Sequence, residues 1–178
     1  VLGGPDAGHD AAAVLFVTGV LARLAGPVLW ALKRRDLFAP GLAGAGLCPD
    51  RVLYAEIGRD EAGILLAMEE GLRHGGLAGV VGEVARLPLA ASRRLHLAAE
   101  ASGVPAFTLR PWRGPGGAEA AEPSAATTRW RVAVLPSGQG RAAPGAEWML
   151  GRARWSVALA RCRGADPGGR RNPFARST

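Results

Sequence analysis

Apolar residues follow one another almost without a break in "AAAVLFVTGVLARLA", from Ala11 to Ala25, and only Arg23 is charged. The length and the alanine content favour a helix over a strand, and so continuous a run predicts a helix buried on most of its sides. Asp10 stands at the expected N-cap, and Gly26-Pro27 ends the run. Next come a buried strand in "PVLWAL" (27–32), closed by the charges of 33–36, a short helix or turn over 39–50, and a second strand over 51–57. Residues 59–76 predict an amphipathic helix: Ile64, Leu65, Met68 and Leu72 recur at helical spacing, while Glu69, Glu70 and Arg73 face water. A third strand is expected over 77–84. A helix follows over 88–103, with Leu95, Ala98 and Ala99 inward, Arg93, Arg94 and Glu100 outward, Ser92 on its surface, and Gly103 as its stop. A fourth strand is expected over 104–110.

Helix and strand therefore alternate as far as residue 110. The strands are short and apolar without clean alternation, which is the pattern of a parallel sheet covered on both faces. The Pro-, Gly- and Ala-rich segment 111–126 breaks the pattern and reads as a flexible loop. Beyond it, 128–137 and 154–164 alternate apolar with polar residues and predict an antiparallel pair. Trp130 and Trp155 are placed as a cross-strand aromatic pair on its core side. Residues 165–178 carry no periodicity and read as a disordered tail. The expected organisation is one α/β domain over 1–164, a mostly parallel sheet with helices on both faces and a C-terminal antiparallel strand pair.

Composition sharpens the reading in a few places. No apolar run approaches the roughly 20 residues of a membrane-spanning helix, and the first residues lack the pattern of a secretion signal. Cys48 and Cys162, the only two cysteines, and His9, His74 and His96 are scattered and offer no metal-ligand spacing. Reduced thiols in a cytoplasmic protein are expected, with no metal. The net charge of +7 is uneven: residues 1–109 hold 10 basic and 11 acidic residues, residues 110–178 hold 12 arginines and 4 acids. A basic C-terminal part suits a polyanion or an acidic partner. The 21 arginines against one lysine, with heavy Ala and Gly use, also fit the codon usage of a GC-rich genome. Both readings are open at this point.

The chain opens on candidate chemistry. Gly3 and Gly8 in "GGPDAGHD" have the glycine spacing of the phosphate loop G-x-x-x-x-G-K-[ST] and precede a helix, as that loop does. The lysine position holds His9 and the hydroxyl position holds Asp10, whose carboxylate repels phosphate oxygens. Losing both side chains removes the main stabilisation of phosphoryl transfer, so no nucleotide hydrolysis and no cofactor are expected. Glu83, at the end of the third strand, is a loose match to the acidic Mg²⁺ partner. Glu56 and Glu83 otherwise read as strand-end residues facing solvent.

The order of these motifs carries a resemblance. A degenerate phosphate loop opens an α/β core, "LFAPGLAGAGLCPDRVLYAE" follows, then "SRRLHLAAEASGVPAFTLRP", "TTRWRVAVLPS" and "GRARWSVALARCRG". The sequence resembles the ImuA family of bacterial damage-inducible mutagenesis proteins over residues 3–164, with "SRRL-x-LAAEASGVPA-x-x-LRP" and "TRWRV" its most specific parts. The resemblance implies a shortened relative of RecA recombinase, distantly similar to SulA cell-division inhibitors, and a non-catalytic accessory in translesion synthesis. It implies as partners an ImuB-type inactive polymerase relative and an error-prone replicative-type polymerase, with RecA and single-stranded DNA as further candidates, in a cytoplasmic, nucleoid-associated setting. A SulA-like inhibitor, a single-stranded DNA-binding module and a weakly ATP-binding RecA relative are the alternatives.

Arginine mixed with tryptophan suits a stacked, phosphate-lined strand or a protein hot spot. That singles out Arg110, Trp112 and Arg113, which lead into the loop, and Arg129 and Arg131, on the strand face opposite Trp130, as binding residues.

Overall fold

The structure, a computed structural model, describes residues 7–110, 123–136 and 153–163, with side chains from Asp10 onward. The chain runs α1 (Ala7–Leu21), β1 (Val28–Leu32), α2 (Ala39–Gly44), a short 3₁₀ turn (Pro49–Arg51), β2 (Val52–Glu56), α3 (Glu61–His74), β3 (Gly79–Glu83), α4 (Leu89–Ser102), β4 (Ala106–Leu109), β5 (Thr128–Leu135) and β6 (Arg154–Cys162). The first four strands form one parallel sheet in the order β2-β1-β3-β4, with Trp30 level with Tyr54 on one side and Val81 on the other. β5 and β6 form a separate antiparallel pair. This is the α/β architecture that the alternation of elements predicts.

The two faces of the sheet are covered by different elements. Val28, Trp30, Leu32 and Val81 pack with Val17 and Leu21 of α1 and with Leu42 and Leu47. On the other face Ala31 and Val80 meet Ile64, Met68 and Leu72 of α3 and Leu95 of α4. Close approach depends on two strand glycines. A Cβ on Gly79 would collide with Leu21 Cδ2, and one on Gly82 with Met68 Sδ, so these two helix side chains reach onto the strands where an alanine methyl would stand.

α1 is enclosed as the sequence predicts: no residue from Ala12 to Ala22 is exposed. The sheet covers one side, and β5 lies against the other through Val132, fully buried, and Trp130, whose ring centroid is 5.8 Å from that of Phe16. The helix starts at Ala7, so Asp10 sits in its first turn and not at the N-cap. The connection that follows it is held by Arg51, which donates from Nε to Gly26 O at 2.8 Å and from Nη2 to Leu24 O. α3 begins on Asp60, whose carboxylate accepts from Ala62 N at 3.0 Å. α3 and α4 end on left-handed Gly75 and Gly103, at φ 71° and 72°.

Three expected side-chain placements are corrected. Glu69 is 5% exposed, not solvated, because Arg94 reaches it from α4 at 3.0 Å while Arg73 pairs with it at 2.6 Å. Ser92 lies inside: its hydroxyl donates to Leu89 O at 2.8 Å and accepts from Ala125 N at 3.0 Å, pinning the segment before β5 onto α4. Trp130 and Trp155 are not opposite each other. Trp130 faces Leu159 and Trp155 faces Val134, across a pairing with an irregularity between Arg129 and Trp130.

Candidate functional site

In the order β2-β1-β3-β4 the chain leaves β1 first to one side and later returns on the other. The connections that leave the carboxyl ends of β1 and β3 therefore run to opposite faces of the sheet and leave a crevice between them. A cavity of about 530 Å³ lies there, lined by Asp10, Lys33, Asp36, Phe38, Glu83 and Arg110 among others. Glu83 ends β3 and Trp30 lies inside β1 on the same face, so the fully buried indole can donate across the strands, from Nε1 to Glu83 Oε1 at 2.8 Å. Burial pushes the Glu83 carboxyl above its ordinary pKa; Asp36 and Asp10 push the same way, against the Trp30 hydrogen bond and Lys33. The solvent-facing reading of Glu83 is thereby corrected, while Glu56 is exposed.

Beside it, Glu61 at the start of α3 binds Lys33 Nζ through Oε1 at 2.5 Å and accepts from the amides of Ala85 at 2.9 Å and Arg86 at 3.2 Å. Burial works against this carboxylate, yet Lys33 and the two amides together hold it below the ordinary range. Arg110 is 6% exposed and donates from Nε and Nη2 to Ala85 O at 3.3 and 3.2 Å. Its guanidinium thus turns into the crevice, onto the same β3–α4 connection that Glu61 grips. Asp10, Asp36 and Glu83 thus share the crevice with Lys33 and Arg110.

The remaining sequence-predicted binding residues gather elsewhere. Arg129 is half-buried and donates to Ser124 Oγ at 3.0 Å, while Arg131 is exposed. Sequence reasoning passed over three more arginines on β6 and just after it, Arg154, Arg161 and Arg163, all exposed. Arg161 is the register partner of Arg129 and donates to Ser124 O at 3.1 Å, and Arg163 Nη1 lies 3.1 Å from His96 Nε2. Over 128–135 and 154–163 there are five arginines and no acidic residue. The signal was in the sequence, but only the register shows that the two strands bring these cations together. Gly3, Trp112 and Arg113 lie outside the described residues, and of Gly8 and His9 only the helical backbone is described. Among the described residues no group of three or more metal-ligating side chains occurs, and no helix is long and apolar enough to cross a membrane.

A parallel α/β sheet with a switch-point crevice and an appended antiparallel pair defines the fold class. The SulA crystal structure from Pseudomonas aeruginosa shares this fold, with a TM-score of 0.54 and 24% identity over 63% of this chain and 95% of that one. No family model matches the sequence. Protein ImuA of Caulobacter vibrioides, in strains NA1000 / CB15N and ATCC 19089 / CIP 103742 / CB 15, is 41% identical over 167 residues. The match takes in 89% of this chain and 66% of the ImuA proteins, just under two thirds of their length. The chain belongs to the ImuA family.

Proposed function

We propose that this chain is a non-catalytic accessory of damage-induced mutagenesis, and that it works by holding partners at damaged DNA. The observation that carries the reading is the β5–β6 pair, whose strands hold Arg129, Arg131, Arg154 and Arg161, with Arg163 just beyond, and no acidic residue in their own sequence. Arginines on an exposed sheet surface are suited to phosphates, as point charges and as bidentate donors. Single-stranded DNA is the ligand this surface fits, with Trp112 and Arg113 as further contacts read from the sequence alone. The ImuB-type polymerase relative, the error-prone replicative-type polymerase and RecA enter as protein partners through the family resemblance. A cytoplasmic, nucleoid-associated protein fits this role.

The crevice supports the non-catalytic half of the reading. Asp10 takes the place where a phosphate loop needs a hydroxyl, Asp36 adds to the repulsion, and Lys33 is occupied by Glu61. A bound γ-phosphate would lack the charge compensation that phosphoryl transfer requires.

The reading is tested in a bacterium lacking its own ImuA, by counting mutations after ultraviolet damage. The parent protein is expected to restore mutagenesis, and Arg131→Gln with Arg154→Gln and Arg161→Gln to reduce it at equal protein level. Full restoration by the arginine variant would contradict the role given to this surface. ATP hydrolysis by the purified parent protein would contradict the non-catalytic reading.

A further inference from the structure

We propose that the open cavity between α4, β4 and the segment leading into β5 takes one unstacked base of single-stranded DNA, with that nucleotide's phosphate on Arg163. This assignment rests on the DNA-binding reading of the arginine surface and adds a site to it. The cavity holds about 480 Å³ and shares no lining residue with the crevice. Residues 92–107, within the stretch that carries the family resemblance most specifically, supply most of its wall. That wall is largely apolar: Leu95 and Val104 are buried, and Ala99 and Ala106 are half-buried. A base brings apolar faces to such a wall and polar groups only along its edge. His96 and Glu100 line the same cavity, 3.4 Å apart, and suit that edge. Glu100, the one acidic residue of the lining, can accept from the exocyclic amino group of adenine, cytosine or guanine.

The positive charge stands at the mouth. Arg163 Nη1 lies 3.1 Å from His96 Nε2, and the Arg163 backbone donates to Thr127 O at 2.8 Å, so both contacts are to residues of the lining. Arg163 is thus fixed beside the cavity by its main chain and is itself exposed. Arg161 links it to the rest of the surface. Arg129 pairs with Arg161 but Trp130 pairs with Leu159, which leaves Ala160 over as a bulge. The extra residue turns Arg161 to the face that Arg129 and Arg131 share. Phosphates lying along that face are led past Arg161 to Arg163 and the cavity. The partners of Arg161 and Arg163 among the described residues, Ser124 O and His96, bring no negative charge. An apolar side chain of a protein would cover the walls and leave these guanidiniums without an anion; a nucleotide meets both.

Fluorescence anisotropy on the full chain tests this with two labelled single strands of equal length, one with bases and one made of abasic sugar phosphates. The parent should bind the strand with bases about tenfold more tightly. Ala99→Trp fills the cavity from α4 and Ala126→Trp fills it from the segment before β5. Each should remove most of that preference while the salt dependence stays that of the parent, because every arginine remains. Arg163→Gln, at an exposed position, should shrink the preference and lower the magnitude of the salt slope by roughly 0.7. Equal binding of the two strands by the parent overturns the proposal and leaves the arginine surface standing. No binding of either strand at low salt overturns both. A preference that survives in a folded Ala99→Trp or Ala126→Trp variant, or that ignores Arg163→Gln, places the bases elsewhere and overturns the proposal. A partner protein lost on filling the cavity, with the preference unchanged, assigns the cavity to that protein and also overturns it.

Discussion

Trp30 and Glu83, 53 residues apart, are joined by a 2.8 Å hydrogen bond from the indole nitrogen to Glu83 Oε1, and this bond ties β1 to β3 at the mouth of the crevice. A buried tryptophan needs an acceptor for its N–H, and a carboxyl that burial has pushed up needs a donor; each meets the other's requirement. Trp30→Phe keeps most of the apolar contact but removes the donor. It should cost about 1–3 kcal/mol, the usual penalty for stranding a buried polar partner, read by denaturant unfolding. A loss well below that range would mean Glu83 turns to water without consequence.

The Glu83 carboxyl holds its proton more tightly in the folded chain than in the unfolded one. Its contribution to stability is therefore complete below the ordinary carboxylate range and is lost as pH rises through the elevated native value. Glu83→Gln keeps an acceptor for Trp30 and cannot ionise. The variant should gain on the parent as pH rises from 4 to 7, measured as the difference between their unfolding midpoints. A difference constant with pH would show that the carboxyl titrates normally.

Glu61 has the opposite sign. Its folded pKa is depressed, so its contribution is present above the ordinary range and is lost as pH falls through the depressed native value. Glu61→Gln should cost most at neutral pH and least in acid, where the parent carboxylate is also protonated. Thermal melts of the two proteins at several pH values should converge at the acid end; parallel curves would contradict the clamp assigned to Lys33, Ala85 and Arg86.

Much of this architecture could be read directly. Apolar runs separated by Gly, Pro and charge placed every helix and strand from α1 to β4 within a few residues, because such breaks end elements locally. Strand order could not be read, since it depends on which edges meet after crossover. Glu69 looked solvated because its own helix gives it a polar neighbourhood; its cover, Arg94, comes from the next helix. The phosphate-loop spacing pointed to the first turn of α1, and Glu83 was noticed for its place at a strand end. Its bond to Trp30 was invisible, because register between β1 and β3 decides it. The arginines were visible one by one, whereas their assembly on one pair of strands required the pairing of Arg129 with Arg161.

Gly82 supplies a packing test. Its Cα lies under Met68 and Ile64 with no space for a methyl group. Gly82→Ala should destabilise by about 1–3 kcal/mol through overpacking. Pairing it with Met68→Ala should recover part of the loss, because the obstructing sulfur is removed; no recovery would place the strain elsewhere.

The absence of nucleotide chemistry is expected to be a property of the side chains present. The parent should show no ATP hydrolysis above background, while His9→Lys with Asp10→Thr should show weak ATP binding by calorimetry. Turnover by the parent that His9→Ala abolishes would contradict the account of the crevice.

The arginine surface of β5 and β6 is tested most directly by the salt dependence of single-stranded DNA binding, followed by fluorescence anisotropy. Each phosphate contact adds roughly 0.7 to the magnitude of the slope of log affinity against log salt on a single strand. Removing Arg131, Arg154 and Arg161 as glutamines should lower that magnitude by roughly 2 if all three touch phosphate, while the unfolding midpoint stays near that of the parent. An unchanged slope in a folded variant, or no measurable binding by the parent at low salt, would contradict the assignment of this surface to DNA.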